Sequence, residues 1–443
     1  MQGLITNLFQ SKARLMVIMR YVLLCAIGAL GLARLRVIII LLASPGSLMD
    51  RDTLTYYLMG KAVLAGLNPY LPLNELAQKF VGSSSFLSHP APCTPTMAIL
   101  SVPIALFSFS NSVVIWLGVE LFLLAAIACM LTILWNGRLH WIGAIFLFLA
   151  LLAWYPVMVD LLFGQLSILL TALLLAALLL LRKDQKVLAG ILIGLTVGIK
   201  IITWPLIIYF ALKKDWRSFI SSSLTVIGLN LIATLVIGIR PIIDYYFGIT
   251  MQVSAIYYSF LKNYSLWSIG YRLFNGTQPI GGDYISAPPL INLPKVAPLV
   301  SAGLAIAFLF VGLIWSIRSK DKEIAFSILA CVIVAVSPIT WDHYYIIIII
   351  SLGVLLLQLQ KQNFPAWVTL FSIIIILMLF LFNDRIAEVI FLLNGGVDFI
   401  QAHGNRITFL SSLLETIPMV ELVILSILLW RIGNSKQTIK QIS

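Results

Sequence analysis

Six polar residues, Asp50, Asp52, Gln165, Lys200, Asn263 and His343, stand out against an apolar chain. Asp50 and Asp52 lie in "DRDTLTYYLMGKAVLAGLNPY", directly before a helix-forming segment that carries Tyr56 four residues beyond Asp52. A carboxylate there can take a proton from a hydroxyl, or it can cap the helix starting near Leu54. Lys200 follows Gly190, Gly194 and Gly198, at the tip of a glycine-rich segment. It can meet a phosphate or snorkel to the membrane interface. His343 stands among Trp341, Tyr344 and Tyr345, a setting that suits a ligand contact or an aromatic interfacial belt. Gln165 and Asn263 can hydrogen-bond a ligand or satisfy backbone groups at the ends of spans. Glu120 falls inside an apolar run, where acids are rare and usually functional. The four cysteines, Cys25, Cys93, Cys129 and Cys331, show no CxxC spacing, so neither a zinc site nor a disulfide framework is indicated, and no metal or cofactor is expected.

The elements that must position these residues are set by composition. With 61% hydrophobic and 10% charged residues and a mean hydropathy of +1.04, the chain cannot be a water-soluble domain. Its apolar runs reach roughly 18 to 25 residues, the length a helix needs to cross a bilayer, and they lack the alternation of an outer-membrane barrel. The fold class is an all-α polytopic membrane protein in one domain, 1–443. Short basic linkers occur at 182–186, 213–217 and 318–322, with weaker ones at Arg138 and Lys361 and a basic tail after Arg431. The positive-inside rule places all of them in the cytoplasm with the N-terminus, whose Lys12, Arg14 and Arg20 precede a retained span. The net charge of +12 thus serves topology, and no nucleic-acid partner is expected.

Under that constraint, 44–112 forms an outer loop with amphipathic helices, in which 96–109 does not span and the helix after Asp52 lies on the outer surface. The interval 187–212 is too short for two crossings at ~1.5 Å per residue, so it reads as a hairpin of half-helices with Lys200 at its outer tip. A second large outer loop covers 240–295. Counting the hairpin arms gives about 12 transmembrane segments with both termini cytoplasmic. All six polar residues then fall at the outer boundary, which points to a single outer site.

Several stretches resemble glycosyltransferase family 87. "DTLTYYLMGKAVLAGLNPY" is similar to its Asp-x-x-x-Tyr…Gly-x-x-Pro-Tyr signature, and "GQLSILLTALLLAALLLL" to its Gly-Gln segment. "AGILIGLTVGIKIITWPLIIYFALKKDWR" resembles its glycine-rich hairpin with a lysine and a proline; "NYSLWSIGYRLF" and "SPITWDHYY" resemble its Asn-x-Ser and Ser-Pro-x-x-Trp-x-His segments. The likeness runs in the family's order from Asp50 to Tyr345. It departs at "HPAPCTP", where a tyrosine more often precedes the prolines, and at Tyr344, where a second histidine is common.

The resemblance implies a GT-C-like fold and inverting transfer of a sugar from a polyprenyl-phosphate donor to a lipid-linked or glycan acceptor at the outer face of the plasma (inner) membrane, among membrane lipids. Mannose is the implied sugar, with arabinofuranose as the related alternative. Asp52 matches the family's base by its spacing to Tyr56, with Asp50 as rival. Lys200, His343, Asn263, Gln165 and Tyr56 match donor-phosphate or substrate contacts. The competing class is a transporter or lipid flippase, for which internal repeats and polar residues at the midplane are expected; no convincing repeat is visible and the polar residues gather at one face. A non-catalytic assembly partner is the third class.

Overall fold

In hydrocarbon every backbone N–H and C=O must be satisfied within the chain, and unbroken apolar runs achieve this as helices. The computed structural model describes residues 2–43, 51–83, 87–280, 285–361, 364–379, 385–402 and 404–442. Among these the regular elements are helical, apart from isolated bridges joining Thr277 to Ala287 and Ser286 to Arg406. In chain order they are α1 (Gln2–Ala43), α2 (Asp52–Leu64), α3 (Leu73–Val81), α4 (Pro95–Leu100), α5 (Val102–Ala105), α6 (Phe109–Asn136), α7 (Trp141–Leu152), α8 (Tyr155–Phe163) and α9 (Ser167–Arg182). There follow α10 (Lys186–Ile199), α11 (Pro205–Leu212), α12 (Trp216–Ile237), α13 (Ile239–Asp244), α14 (Thr250–Tyr257), α15 (Trp267–Phe274), α16 (Ala297–Arg318), α17 (Lys322–Val336) and α18 (Ile349–Lys361). Shorter helices and the long Ile417–Ile442 complete the chain.

Six helices among the described residues are long and apolar enough to cross a membrane, or seven if the bent pair α7 and α8, which meet at 73°, is one span. Their outward side chains are large and apolar, with Leu235 87% and Phe122 73% exposed, a surface suited to lipid and not to water. The protein is a multi-pass membrane protein. Helices α9, α10, α11 and α17 occupy four more of the expected segments, but at 16, 14, 8 and 15 residues each falls short of the ~20 that a full crossing takes. Helix α17 is apolar on all sides and buried from Ile324 to Ala335, which makes it a central core helix.

The interval 187–212 is a hairpin. Lys200 adopts an extended backbone (φ −146°, ψ 115°) that ends α10, and Pro205 opens α11 at a position where a missing N–H costs nothing. The far ends of the two arms meet, with Lys186 Nζ 3.7 Å from Asp215 Oδ1. Gly190 and Gly194 let α10 lie directly against α12: a Cβ on either would fall 2.6 Å from the carbonyl oxygen of Ser218 or Ser222. The basic linkers gather at this same end. Arg182 Nε is 2.9 Å from Glu323 Oε1, Lys322 Nζ is 3.4 Å from Asp184 Oδ1, and Lys213 Nζ donates to the Ser319 carbonyl at 2.9 Å. Lys200 lies at the opposite end of α10, about 20 Å away at ~1.5 Å per residue.

Two expectations for the first loop meet different outcomes. The stretch 96–109 is broken into α4 and α5, of six and four residues, by Ser101 and Pro103, so neither can cross. The helix after Asp52 is not a surface helix. Residues Thr53 to Gly60 of α2 are all buried, because α3, α4, α5 and α6 enclose it. The one-sided helix of this loop is α3, with Leu73, Leu76 and Ala77 inward and Gln78 and Lys79 exposed.

Candidate active site

Helix α8 ends at Gly164, whose left-handed backbone (φ 64°) sends its N–H back to the Asp160 carbonyl. A Cβ at Gly164 would also sit 1.8 Å from Thr53 Oγ1, so only glycine suits this position. The last carbonyls of α8 need partners outside the helix, and the start of α2 supplies them. The Arg51 guanidinium donates to the Leu162 carbonyl, and the Thr53 hydroxyl donates to the Phe163 carbonyl at 3.1 Å. Asp52, between these two anchors, is held in place by its neighbours on both sides.

Gln165 follows Gly164 directly. Its Nε2 donates to Asp52 Oδ2, and its Oε1 accepts from the Tyr56 hydroxyl at 3.2 Å. Asp52 and Tyr56, four residues apart on one face of α2, therefore grip the two ends of one side-chain amide. Burial pushes the Asp52 carboxyl up, while the Gln165 amide and the charge of Lys200 hold it back, leaving it at about 6. Such a carboxylate is mostly ionised at neutral pH and is a stronger base than an exposed aspartate. Burial keeps the Tyr56 phenol far above its ordinary value, hence neutral and a donor.

Asp52, Tyr56, Gln165 and Lys200 line one cavity of about 220 Å³. The Lys200 ammonium lies 3.9 Å from the centre of the Tyr344 ring, a cation–π contact that stations a positive charge at the cavity wall. Thr94 braces that corner by donating to the Gly198 carbonyl at 2.6 Å and the Ile199 carbonyl at 3.0 Å. Cys93 also lines the cavity; burial pushes its thiol up to about 12, so it is no nucleophile at neutral pH.

Of the remaining expected site residues, Asp50 lies outside the described residues. Asn263 does not line the cavity. Its Nδ2 donates to the Tyr257 and Pro338 carbonyls at 3.1 Å each, and its Oδ1 accepts from the Ser265 and Thr340 amides at 3.2 and 3.0 Å. All four hydrogen-bonding positions of the amide are spent on backbone, so Asn263 splices two loops together and is corrected from a substrate contact to a scaffold residue. His343 is likewise set back from the cavity; its ring packs against Tyr344 at 4.9 Å, and it is Tyr344 that forms the wall. Glu120 meets Asp160 of α8, with Arg51 and Trp116 beside it, so this acid belongs to the cluster at the start of α2. Asp160 in turn caps α9, its Oδ2 3.1 Å from the Ser167 amide.

Sequence reasoning missed Arg51, Thr94, Asp160, His89 and Tyr257. His89 and Tyr257 line the cavity, and the departure at "HPAPCTP" was the only signal pointing to His89. Among the described residues no group of three or more His, Cys, Asp or Glu gathers in a way that could hold a metal ion.

Residues 94–338 match the profile of Glycosyltransferase family 87. The matched segment contains Gln165, Lys200 and Asn263, and ends short of His343; Asp52 and Tyr56 precede it and join it through the contacts with Gln165. No curated protein and no solved structure matches the chain.

Proposed function

The chain belongs to glycosyltransferase family 87, and from that premise we propose that it moves mannose from a polyprenyl-phosphate donor to a lipid-linked or glycan acceptor, with inversion, at the outer face of the plasma membrane. The observation that carries this reading is the Asp52–Gln165–Tyr56 chain in a cavity that also holds the Lys200 ammonium. In the proposed step Asp52 takes the proton of an acceptor hydroxyl as that oxygen attacks the anomeric carbon. The bond from that carbon to the phosphate oxygen breaks on the opposite face, and the phosphate leaves with the electron pair. Lys200 offsets the charge that grows on the leaving group. A preformed leaving group makes one base and one cation sufficient.

The gathering of the linkers 182–186, 213–217 and 318–322 at one end of the bundle supports a common cytoplasmic face. With Lys200 at the other end of α10, the cavity then opens toward the outer leaflet, both termini are cytoplasmic, and 44–112 and 240–295 form the outer loops of a GT-C-like arrangement of about 12 segments, several shorter than full spans. The bent α7–α8 pair and the intramembrane acids Glu120 and Asp160 are features a transporter or flippase would also show, but membership of a transferase family decides for the enzyme. Incubating the purified protein with labelled polyprenyl-phosphate mannose or arabinofuranose and candidate acceptors tests the reading. Transfer of mannose label to a product, lost in Asp52→Asn, is expected; transfer from the arabinofuranose donor alone would overturn mannose as the sugar, and no transfer from either donor refutes the reading.

A further inference from the structure

His89 and Tyr257, 168 positions apart in the chain, meet on the cavity wall and have no part in the transfer step above. His89 Nδ1 lies 2.8 Å from the Pro90 carbonyl oxygen, which can only accept, so in the neutral ring Nδ1 carries the proton. Nε2 then presents a lone pair 3.0 Å from the Tyr257 hydroxyl, and Tyr257 donates its one hydrogen there. The rings meet edge to face, 5.9 Å apart and at 90°. The Tyr257 oxygen has no hydrogen left to give and can only accept from whatever enters the cavity. Burial and the charge of Asp52 push its hydroxyl up to about 12, so it stays a neutral phenol at working pH. On another side Tyr257 packs edge-on against Trp341, 5.4 Å away, which lines the same cavity.

We propose that Tyr257, oriented by His89, accepts a hydrogen bond from one hydroxyl of the transferred sugar, and that the pair determines which sugar the enzyme takes. The inference rests on the transferase reading and deepens it. A neutral acceptor cannot bind a phosphate, which needs donors, so the pair cannot serve the leaving group held near Lys200. A sugar offers what this wall fits: hydroxyl donors for the Tyr257 oxygen and an apolar C–H face for the Trp341 ring. A sugar lacking that hydroxyl, or holding it in the opposite configuration, would leave a buried acceptor unpaired, which is how such sites reject analogues.

The test measures kcat/KM for the parent, Tyr257→Phe, His89→Gln and His89→Leu with short-chain polyprenyl-phosphate mannose and its monodeoxy analogues. Tyr257→Phe should lose about 3- to 10-fold on the full donor, the range for one neutral hydrogen bond, and nothing further on the single analogue that lacks the hydroxyl being read. His89→Gln retains an acceptor for the Tyr257 hydrogen and should keep the parent's pattern across the analogues. His89→Leu frees that hydrogen and should blunt the pattern as Tyr257→Phe does. Equal losses on every donor would overturn the inference while leaving the transferase intact. A parent inactive with the full donor would overturn mannosyl transfer and this inference with it.

Discussion

Gln165→Leu removes the amide that donates to Asp52 while leaving the carboxylate and Lys200 in place. In the native site Asp52 stands at about 6, raised by burial and held back first by the Gln165 hydrogen bond and then by Lys200. A hydrogen bond to an ionised group is worth about 1.5–3 kcal/mol, and one pKa unit corresponds to about 1.36 kcal/mol, so losing it should raise Asp52 by about 1 to 2 units. The direction follows from the charge: the donor favours the carboxylate, and without it the proton is held more tightly. The base form is lost as pH falls through the pKa, so the acid limb of the kcat/KM profile should move from about 6 in the parent to roughly 7–8 in the variant. At pH 7 the ionised fraction then drops from about 0.9 to between about 0.1 and 0.5, a loss of roughly 2- to 10-fold that disappears by about pH 9. The assay is initial-rate transfer from labelled donor across pH 5 to 9. An acid limb that stays at its parent position, or a loss of equal size at every pH, would refute the role given to the Asp52–Gln165 contact.

Asp52→Asn keeps the shape of the base but not its basicity, and transfer should fall by about 10²- to 10⁴-fold with donor binding retained; Asp50→Asn should reduce it only modestly, and the reverse pattern in the same rate assay would make Asp50 the base. Lys200→Ala removes the cation from the cavity wall and should weaken donor binding by about 10- to 100-fold, the range for a charge-assisted contact, with little change in acceptor affinity; unchanged donor affinity by equilibrium binding would take Lys200 out of the donor site. For orientation, a cysteine at exposed Gln78 should react with an impermeant maleimide from outside intact cells, while one at exposed Lys183 should react only after permeabilisation. Labelling of the Lys183 position from outside would invert the topology.

Charge bias and apolar length speak to how deep a residue lies in the membrane, and they set the expectation of a shared boundary for the polar residues. The interruption of the glycine-rich segment at Lys200 could be read because it depends on local composition. Sequence carries much less about lateral neighbours, which helix packing decides. The enclosure of α2 by α3 to α6 shows in no single segment, so a helix expected on the membrane surface is instead buried. Asn263 and His343 do not line the cavity: one is fully occupied by backbone and the other stands behind Tyr344, distinctions that depend on where a neighbouring loop passes. The Asp-x-x-x-Tyr spacing was the exception, because a four-residue interval fixes a shared helix face as well as a depth. Gln165 answers that face across 113 residues of chain, through a contact that Gly164 permits by offering no side chain to Thr53. A glycine before a glutamine is a faint mark in a sequence with 28 glycines, and its meaning depends on the close approach of α2 and α8 that it allows.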